Sequence, residues 1–365
     1  MRLNSLSVCG FRNYESARAQ FVPGVNLIVG DNANGKTNLL EAISYLSTGH
    51  AFRTRREQEL IRFGAEFAEL TGEISSQERE QTMRVLLFSS RRPRQLFLNG
   101  VKLKTAAPML GVLRSVLFCP EDLLVLKKGA APRRKLLDAV LSQMRPNYAL
   151  ILGEYQRILE QKSAVLREKT PSMLSLLPDY NLRLVSFGAS LISYRARLLQ
   201  ALQEEAARFH REFSGDRENL TLQYQTVSTV SDPFAPPESL REQLQEHMDR
   251  HERAELESGQ CLSGPHKDDF VASLNGLPMA QFASQGQTRT ASISIKLAER
   301  EILRRDCSEL PLLLLDDVLS ELDAGRQDFV LNQLREGQVF ITCCETDRLT
   351  TLGQVIHIEN GKIRL

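Results

Sequence analysis

Short apolar runs and alternating stretches open the chain, and their pattern predicts strands at Leu3–Cys9, Gln20–Val22 and Val25–Val29. The last is continuously apolar, the mark of a strand covered on both faces, and it stops at Gly30. From Lys36 the period changes, with Leu39, Leu40, Ile43 and Leu46 sharing one face of a helix. Residues 66–104 alternate again around Asn99-Gly100, a dipeptide suited to a tight hairpin turn, so an antiparallel layer is expected there.

Residues 145–213 carry a helical stripe. Tyr148, Leu152, Tyr155, Leu159 and Leu166 recur at that spacing, as do Val185, Ala189, Ile192, Leu199, Leu202, Ala206 and Phe209. Two long helices joined across Pro171–Pro178 account for both stripes as packing faces. A short strand (Leu220–Tyr224), a proline-rich loop (Asp232–Pro237) and a helix from Leu240 to near Glu257 are expected next. Strand character returns at Phe270–Leu274, before a second Asn-Gly turn at Asn275-Gly276. A helix follows over Thr288–Arg305, then buried strands at Leu312–Leu315 and Val339–Thr342, and a closing hairpin at Asn360-Gly361. The helical middle interrupts two mixed segments. This predicts an α/β fold in two lobes, one from 1–120 plus 259–365 and a mainly helical inserted one from 121–258.

At 365 residues, with 42% hydrophobic and 25% charged positions, the chain can bury a core and is not disordered by composition. No apolar run approaches the roughly 18–20 residues that cross a bilayer, and the opening residues lack the apolar stretch of a signal peptide. No membrane association and a cytoplasmic setting are therefore expected. The six cysteines contain no C-x-x-C pair, which argues against a zinc ribbon or a dithiol redox motif. A net charge of +1 excludes a uniformly basic surface. Local clusters at Arg53, Arg55 and Arg56, at Arg91, Arg92 and Arg94, and at Lys127, Lys128, Arg133, Arg134 and Lys135 could still neutralise phosphates.

Gly30-Asp31-Asn32-Ala33-Asn34-Gly35-Lys36-Thr37 matches G-x-x-x-x-G-K-[ST] in full, between a predicted strand and a predicted helix. Glycines let backbone N–H groups curl around phosphates, and the helix directs its positive end at them. Lys36 then reaches the β- and γ-phosphates, and the Thr37 hydroxyl faces Mg²⁺. The apolar strand Leu312–Leu315 ends in Asp316-Asp317. A strand ending this way delivers carboxylates to the sheet edge where phosphates dock. Asp316 is the expected metal ligand and Asp317 the group that orients or deprotonates water. Ala283-Ser284-Gln285-Gly286-Gln287 precedes a helix and forms a second candidate anion nest, suited to the γ-phosphate on a partner subunit.

This order of motifs resembles the ABC-type ATPases, in particular their SMC-like branch, and most closely the RecF family of bacterial recombination mediators. The matching residues are Gly10-Phe11-Arg12-Asn13-Tyr14, Gly30–Asn38, Phe118-Cys119-Pro120-Glu121-Asp122-Leu123, Arg133-Arg134 with Leu137-Asp138, Ser263–Asp269, Ser284–Gln287 and Leu314–Asp323. The resemblance spans nearly the whole chain. It implies an ABC-type ATPase head, a mixed sheet with helices plus an antiparallel layer, with an inserted helical lobe. It also implies ATP and Mg²⁺ as ligands, an ATP-dependent homodimer, binding to gapped or junction DNA, and work with RecR, and functionally RecO, to load recombinase.

The resemblance further places Arg12, Asn13 and Asn38 near the nucleotide, Glu121 in a nucleotide-sensing loop, and Asp323 in the segment after the acids. Ser284, Gln285, Gly286 and Gln287 would act in trans. The sequence departs from the wider pattern in three places. Ala283 and Gln285 alter the signature, Asp317 replaces the usual Glu, and Thr342 lies where a switch histidine is expected. A shorter acid and a hydroxyl that relays protons poorly imply slow hydrolysis. Arg53, Arg55, Arg56, Lys127, Lys128, Arg133 and Arg134 are the candidates for DNA contact. A transporter's nucleotide-binding subunit and a P-loop kinase share the loop chemistry and stay open as alternatives. His266 reads as a loop residue packing Ser263–Asp269 against the nucleotide lobe.

Overall fold

The computed structural model describes the whole chain apart from Arg55, Glu78, residues 333–335, residues 345–351 and Leu365. The first segment supplies β1 (Arg2–Phe11), β2 (Tyr14–Gln20), β3 (Val25–Val29), α1 (Lys36–Thr48), β4 (Phe67–Ser75), β5 (Glu80–Phe88), β6 (Gln95–Leu98), β7 (Val101–Leu103) and β8 (Ser115–Phe118). The middle supplies α2 (Ala130–Met144), α3 (Pro146–Glu168), α4 (Pro171–Leu174), α5 (Leu177–Ser214), β9 (Leu220–Gln225), α6 (Pro237–Ser258), β10 (Asp269–Leu274), β11 (Leu277–Pro278) and α7 (Met279–Phe282). Then come α8 (Gln285–Cys307), β12 (Leu312–Asp316), α9 (Ala324–Asn332), β13 (Val339–Cys343), β14 (Gly353–Glu359) and β15 (Lys362–Arg364).

Contacts divide the chain into two units, Met1–Leu124 with Arg289–Leu365, and Val125–Thr288. The first holds two sheets. One is antiparallel in the order β2-β1-β4-β5-β6-β7, and the other runs β15-β14-β3-β13-β12-β8. In the second sheet β14, β3, β13, β12 and β8 are parallel and β15 turns back. Helix α1 touches β8, β12 and β13 on one side and β4 and β5 on the other. Its apolar positions Leu39, Leu40, Ile43 and Leu46 join one core with Leu3, Leu70, Val85, Leu314 and Phe340. Such a helix, clad on both sides, is held by burial, and its N-terminus is fixed relative to the strand ends.

The strand expected at Gln20–Val22 ends instead at Gln20. Phe21 leaves the ladder to pack edge-on against Phe340, with ring centroids 4.8 Å apart, and the Asn26 side chain bonds both N–H and C=O of Val22. The second unit is built on α3, α5 and α6 with the sheet β11-β10-β9. Residues 259–288 belong to it, so the boundary expected at 259 lies too early. The reason is non-local pairing: Phe270 of β10 sits opposite Tyr224 of β9, which ties the returning chain to the insert.

Candidate nucleotide-binding site

Three parallel strands end side by side at the carboxyl edge of the mixed sheet. Thr342 of β13 is in register with Asp316 of β12 and with Ile28 of β3, just before Gly30. The Thr37 hydroxyl at the start of α1 donates to Asp316 Oδ1 at 2.9 Å, and the Thr342 hydroxyl donates to the same oxygen at 3.0 Å. Burial pushes the Asp316 carboxyl above the usual carboxylate range, with the two hydroxyls pulling the other way. Asp317 turns into the left-handed region (φ 52°), a conformation Asp tolerates, and its N–H donates to Thr342 Oγ1 at 2.8 Å. The turn is braced from the other side by Ser320 Oγ, which donates to the Asp317 carbonyl at 2.7 Å.

Lys36 is buried along its stem and donates to the carbonyls of Gly30 (2.6 Å) and Asp31 (3.1 Å), with Cys344 Sγ at 3.3 Å. The loop is steadied from outside. Asn13 Nδ2 donates to the Asn34 carbonyl at 2.8 Å, Asn38 Nδ2 donates to Asn13 Oδ1 at 2.9 Å, and Tyr14 Oη donates to the Gly35 carbonyl at 2.9 Å. Gly35 takes φ 112°, and a Cβ there would fall 2.6 Å from the Asn13 amide, so the position requires glycine.

The cleft beside this loop measures ≈ 680 Å³. That is within the usual range for small-ligand sites. Arg12, Asn13, Lys36, Thr37, Asn38, Arg53, Asp317 and Thr342 line it, together with Ile61 and Phe63. Arg12 is positioned by Glu41, whose carboxylate is fully buried and accepts from Arg12 Nε at 2.8 Å. Glu41 is not among the residues the motifs single out; the one signal for it is its place as a lone acid inside the apolar Leu39–Leu46 stretch. Arg53, read as a DNA candidate, instead faces the cleft, with Nη1 donating to Asn38 Oδ1 at 3.3 Å. Arg56 is exposed, and Arg55 lies outside the described residues.

Glu121 is exposed in a 3-10 turn, Pro120–Leu124, after β8. Asp323 caps α9, accepting from the Arg326 N–H at 3.0 Å. Within the second unit, Ser284 and Gln287 close a capping box at the start of α8. The Ser284 N–H donates to Gln287 Oε1 (2.9 Å) and the Gln287 N–H to Ser284 Oγ (3.2 Å). Gln285 and Gly286 form the intervening first turn of that helix.

The basic cluster over Lys127–Lys135 is largely occupied. Arg133 grips Asp269 through Nε (2.6 Å) and Nη2 (2.8 Å), Arg134 donates to the Asp268 carbonyl, and Lys127 Nζ donates to the Ala283 carbonyl at 2.6 Å. These side chains hold α2 to the segment around β10. Lys128 remains exposed. Asp138 accepts both Arg195 Nε (2.9 Å) and Nη2 (3.0 Å), and Arg195 Nη1 donates to the Pro265 carbonyl at 2.7 Å. His266 packs inside this unit, against Tyr155 of α3, so the expectation that it packs on the nucleotide lobe is corrected.

The phosphate loop on a central parallel strand, the acid pair two strands away and the flanking antiparallel sheet define an ABC-type ATPase head of the SMC-like kind. A family model, the RecF/RecN/SMC N terminal domain, matches residues 2–363. The DNA replication and repair protein RecF of Symbiobacterium thermophilum is 40% identical over 351 residues, covering 96% of this chain and 93% of that one. Two solved structures of the recombination mediator protein RecF in the RecFOR pathway superpose on it. The RecF-ATPrS structure has TM-score 0.91 and covers 99% of this chain and 97% of that one; the RecF-ATP structure has TM-score 0.90 and covers 99% and 96%; both are 33% identical. The chain belongs to the RecF family.

Proposed function

We propose that this chain is an ATP-dependent DNA-binding recombination mediator, an ATP-driven dimer clamp at gapped or junction DNA that works with RecR, and functionally RecO, in loading recombinase. The observation that carries the reading is the meeting of Thr37, Thr342 and Asp316 beside Lys36. Relatives named for DNA replication and repair, and solved structures named for RecF with ATP, supply its biological direction.

Bound ATP lies along Gly30–Thr37, its phosphates facing the loop N–H groups and the Lys36 ammonium. Thr37 and Asp316 offer the oxygen donors that a hard divalent cation takes, and they are the residues that would hold Mg²⁺. The ion's contribution is to neutralise phosphate charge. Asp317 orients and deprotonates the attacking water, and Thr342 fixes its backbone. Ser284, Gln285, Gly286 and Gln287 of a second copy cap the γ-phosphate, exchanging their internal capping contacts for phosphate contacts. Hydrolysis removes the shared phosphate and opens the clamp. The short Asp317 and the hydroxyl at Thr342 suit a switch whose turnover stays below about 10 s⁻¹. Among the exposed basic groups, Arg56 and Lys128 are the ones offered to DNA, since the exposed Arg53 bonds Asn38 at the cleft and the exposed Lys127 bonds the Ala283 carbonyl.

Light scattering with Mg²⁺ alone, with ATP and with ADP, each with and without a gapped duplex, tests the reading. It predicts a dimer with ATP only, and DNA binding that follows the dimer. A monomer under all conditions that ignores DNA would overturn it.

A further inference from the structure

Gln287, the last residue of the signature segment, is held by a contact that the capping box does not account for. Its Nε2 donates to Glu218 Oε1 at 2.8 Å. The other carboxylate oxygen of Glu218 lies 3.0 Å from Nε2 of His210, a wholly buried residue of α5. A carboxylate only accepts, so that ring nitrogen carries the proton. His210 Nδ1, equally buried, has no partner among the described residues. A buried histidine with one nitrogen orphaned and the other spent on a carboxylate at the signature is the feature to be explained, since buried polar atoms are normally paired.

Glu218 is placed from both directions along the chain. After α5 the backbone turns through Gly215 (φ 62°) and Asp216 (φ 58°), and the Glu218 N–H donates to Ser214 Oγ at 3.3 Å. One residue further, the Asn219 N–H donates to Asn275 Oδ1 at 2.8 Å, and the Asn219 carbonyl accepts from the Asn275 N–H at 2.9 Å, beside the Leu220–Leu274 end of the β9–β10 ladder. All of these groups, with Ser284 and Gln287, lie within Val125–Thr288.

The two ends of an amide side chain have the same shape, and their partners decide which end faces where. The Ser284 N–H can only donate, so it requires the oxygen of Gln287; Glu218 can only accept, so it requires the nitrogen. The two demands agree. The capping box uses Oε1 and the backbone N–H of Gln287, whereas Glu218 takes Nε2. Ser284 can therefore turn to a phosphate while Glu218 keeps its hold on Gln287. Burial keeps the His210 pKa below its usual value against the pull of Glu218, so at neutral pH the histidine is an uncharged donor to that carboxylate.

We propose that Glu218 is a positioning residue of the signature nest. It fixes Gln287, and through it the first turn of α8, so that Ser284 and Gly286 of one copy meet the γ-phosphate on the other in a set geometry. The inference rests on the reading that the nest acts in trans, and it adds the residue that holds the nest in place.

Glu218→Ala should weaken the ATP-dependent dimer about 10- to 100-fold, the scale of a hydrogen bond to a charged group. Light scattering across a concentration series measures it. Calorimetry at protein concentrations where no dimer forms should give wild-type ATP affinity, because the phosphate loop belongs to the other unit. Glu218→Gln, which can still accept from Gln287, should restore the dimer. In a Gln287→Ala background, Glu218→Ala should cost little more, as expected of two residues that act through one contact. If the bare His210 donor unfolds Glu218→Ala, the Glu218→Ala/His210→Phe protein removes that donor and is measured in its place. A folded Glu218→Ala protein that dimerises as the wild type does, or a loss equally large in the Gln287→Ala background, would overturn the proposal and leave the trans reading standing. A wild-type protein that stays monomeric with ATP would sink the trans reading and the proposal with it.

Discussion

Thr37 and Asp316 meet at 2.9 Å across 279 residues of sequence. The contact joins the first turn of α1 to the last residue of β12, so the hydroxyl and the carboxylate arrive together only once the mixed sheet has formed. Asp316→Asn keeps the size of the side chain and removes the charge. It should lower ATP turnover by about 10- to 100-fold at least, the loss that follows even removal of a metal site's outer partners. Nucleotide binding measured without Mg²⁺ should be nearly unchanged. Phosphate release and calorimetry, each with and without Mg²⁺, check both halves. Full turnover in this variant would remove Asp316 from the metal site.

Ser284 is the test of action in trans. Its hydroxyl completes the capping box of α8, so Ser284→Ala should cost about 1 kcal/mol of stability. Denaturant melts measure that part. The larger consequence concerns assembly. The phosphate loop belongs to the other unit of the same chain, so the monomer's affinity for ATP should be kept while the ATP-dependent dimer is lost. A Ser284→Ala protein that dimerises normally with ATP would leave Ser284 with only its capping role.

The chemistry of the first unit was legible because each element announces itself locally. Gly30–Thr37 is contiguous, and Leu312–Asp316 is an apolar run ending in acid. What stayed hidden depends on contacts distant in sequence. Helix α2 escaped notice because Arg133, Arg134 and Lys135 interrupt its apolar period, although Leu136, Leu137, Val140 and Leu141 are buried. The lobe boundary was misplaced because only the pairing of β9 with β10 assigns residues 259–288. Arg53 and Arg133 looked alike as basic residues. One turns to the cleft and the other to Asp269, and no local pattern distinguishes them.

Arg133 and Lys128 should accordingly behave as opposites. Arg133→Ala breaks a two-pronged, largely covered contact with Asp269 and should destabilise the fold by about 1.5–3 kcal/mol, the range for hydrogen bonds to charged groups. It should leave the salt dependence of DNA binding as it was. Lys128→Ala should leave the melting transition in place and reduce the slope of log affinity against log salt by about one. Fluorescence anisotropy on a gapped duplex over a salt series, beside thermal melts, reads both. A changed salt slope in Arg133→Ala with an unchanged melt would return that residue to the DNA surface.

His266 gives the second unit a defined response to acid. Its Nε2 lies 3.1 Å from the Cys261 carbonyl, which can only accept, so that nitrogen carries the proton. Nδ1 is left to accept from Tyr155 Oη at 2.7 Å. Burial is the main cause that pushes the histidine pKa down to about 4 from 6.5, with Lys267 adding to it and the Cys261 carbonyl opposing. Between those values the unfolded chain binds the proton that the folded chain refuses. The stability tied to neutral His266 is therefore complete above pH 6.5 and drains as pH falls toward 4. The loss is at most about 1.4 kcal/mol per pH unit. His266→Gln keeps a donor and an acceptor but does not titrate. Urea midpoints of the two proteins should converge as pH drops from 7.5 to 4.5, with the wild type showing the steeper fall. Parallel pH profiles would show that His266 is not buried as a neutral ring.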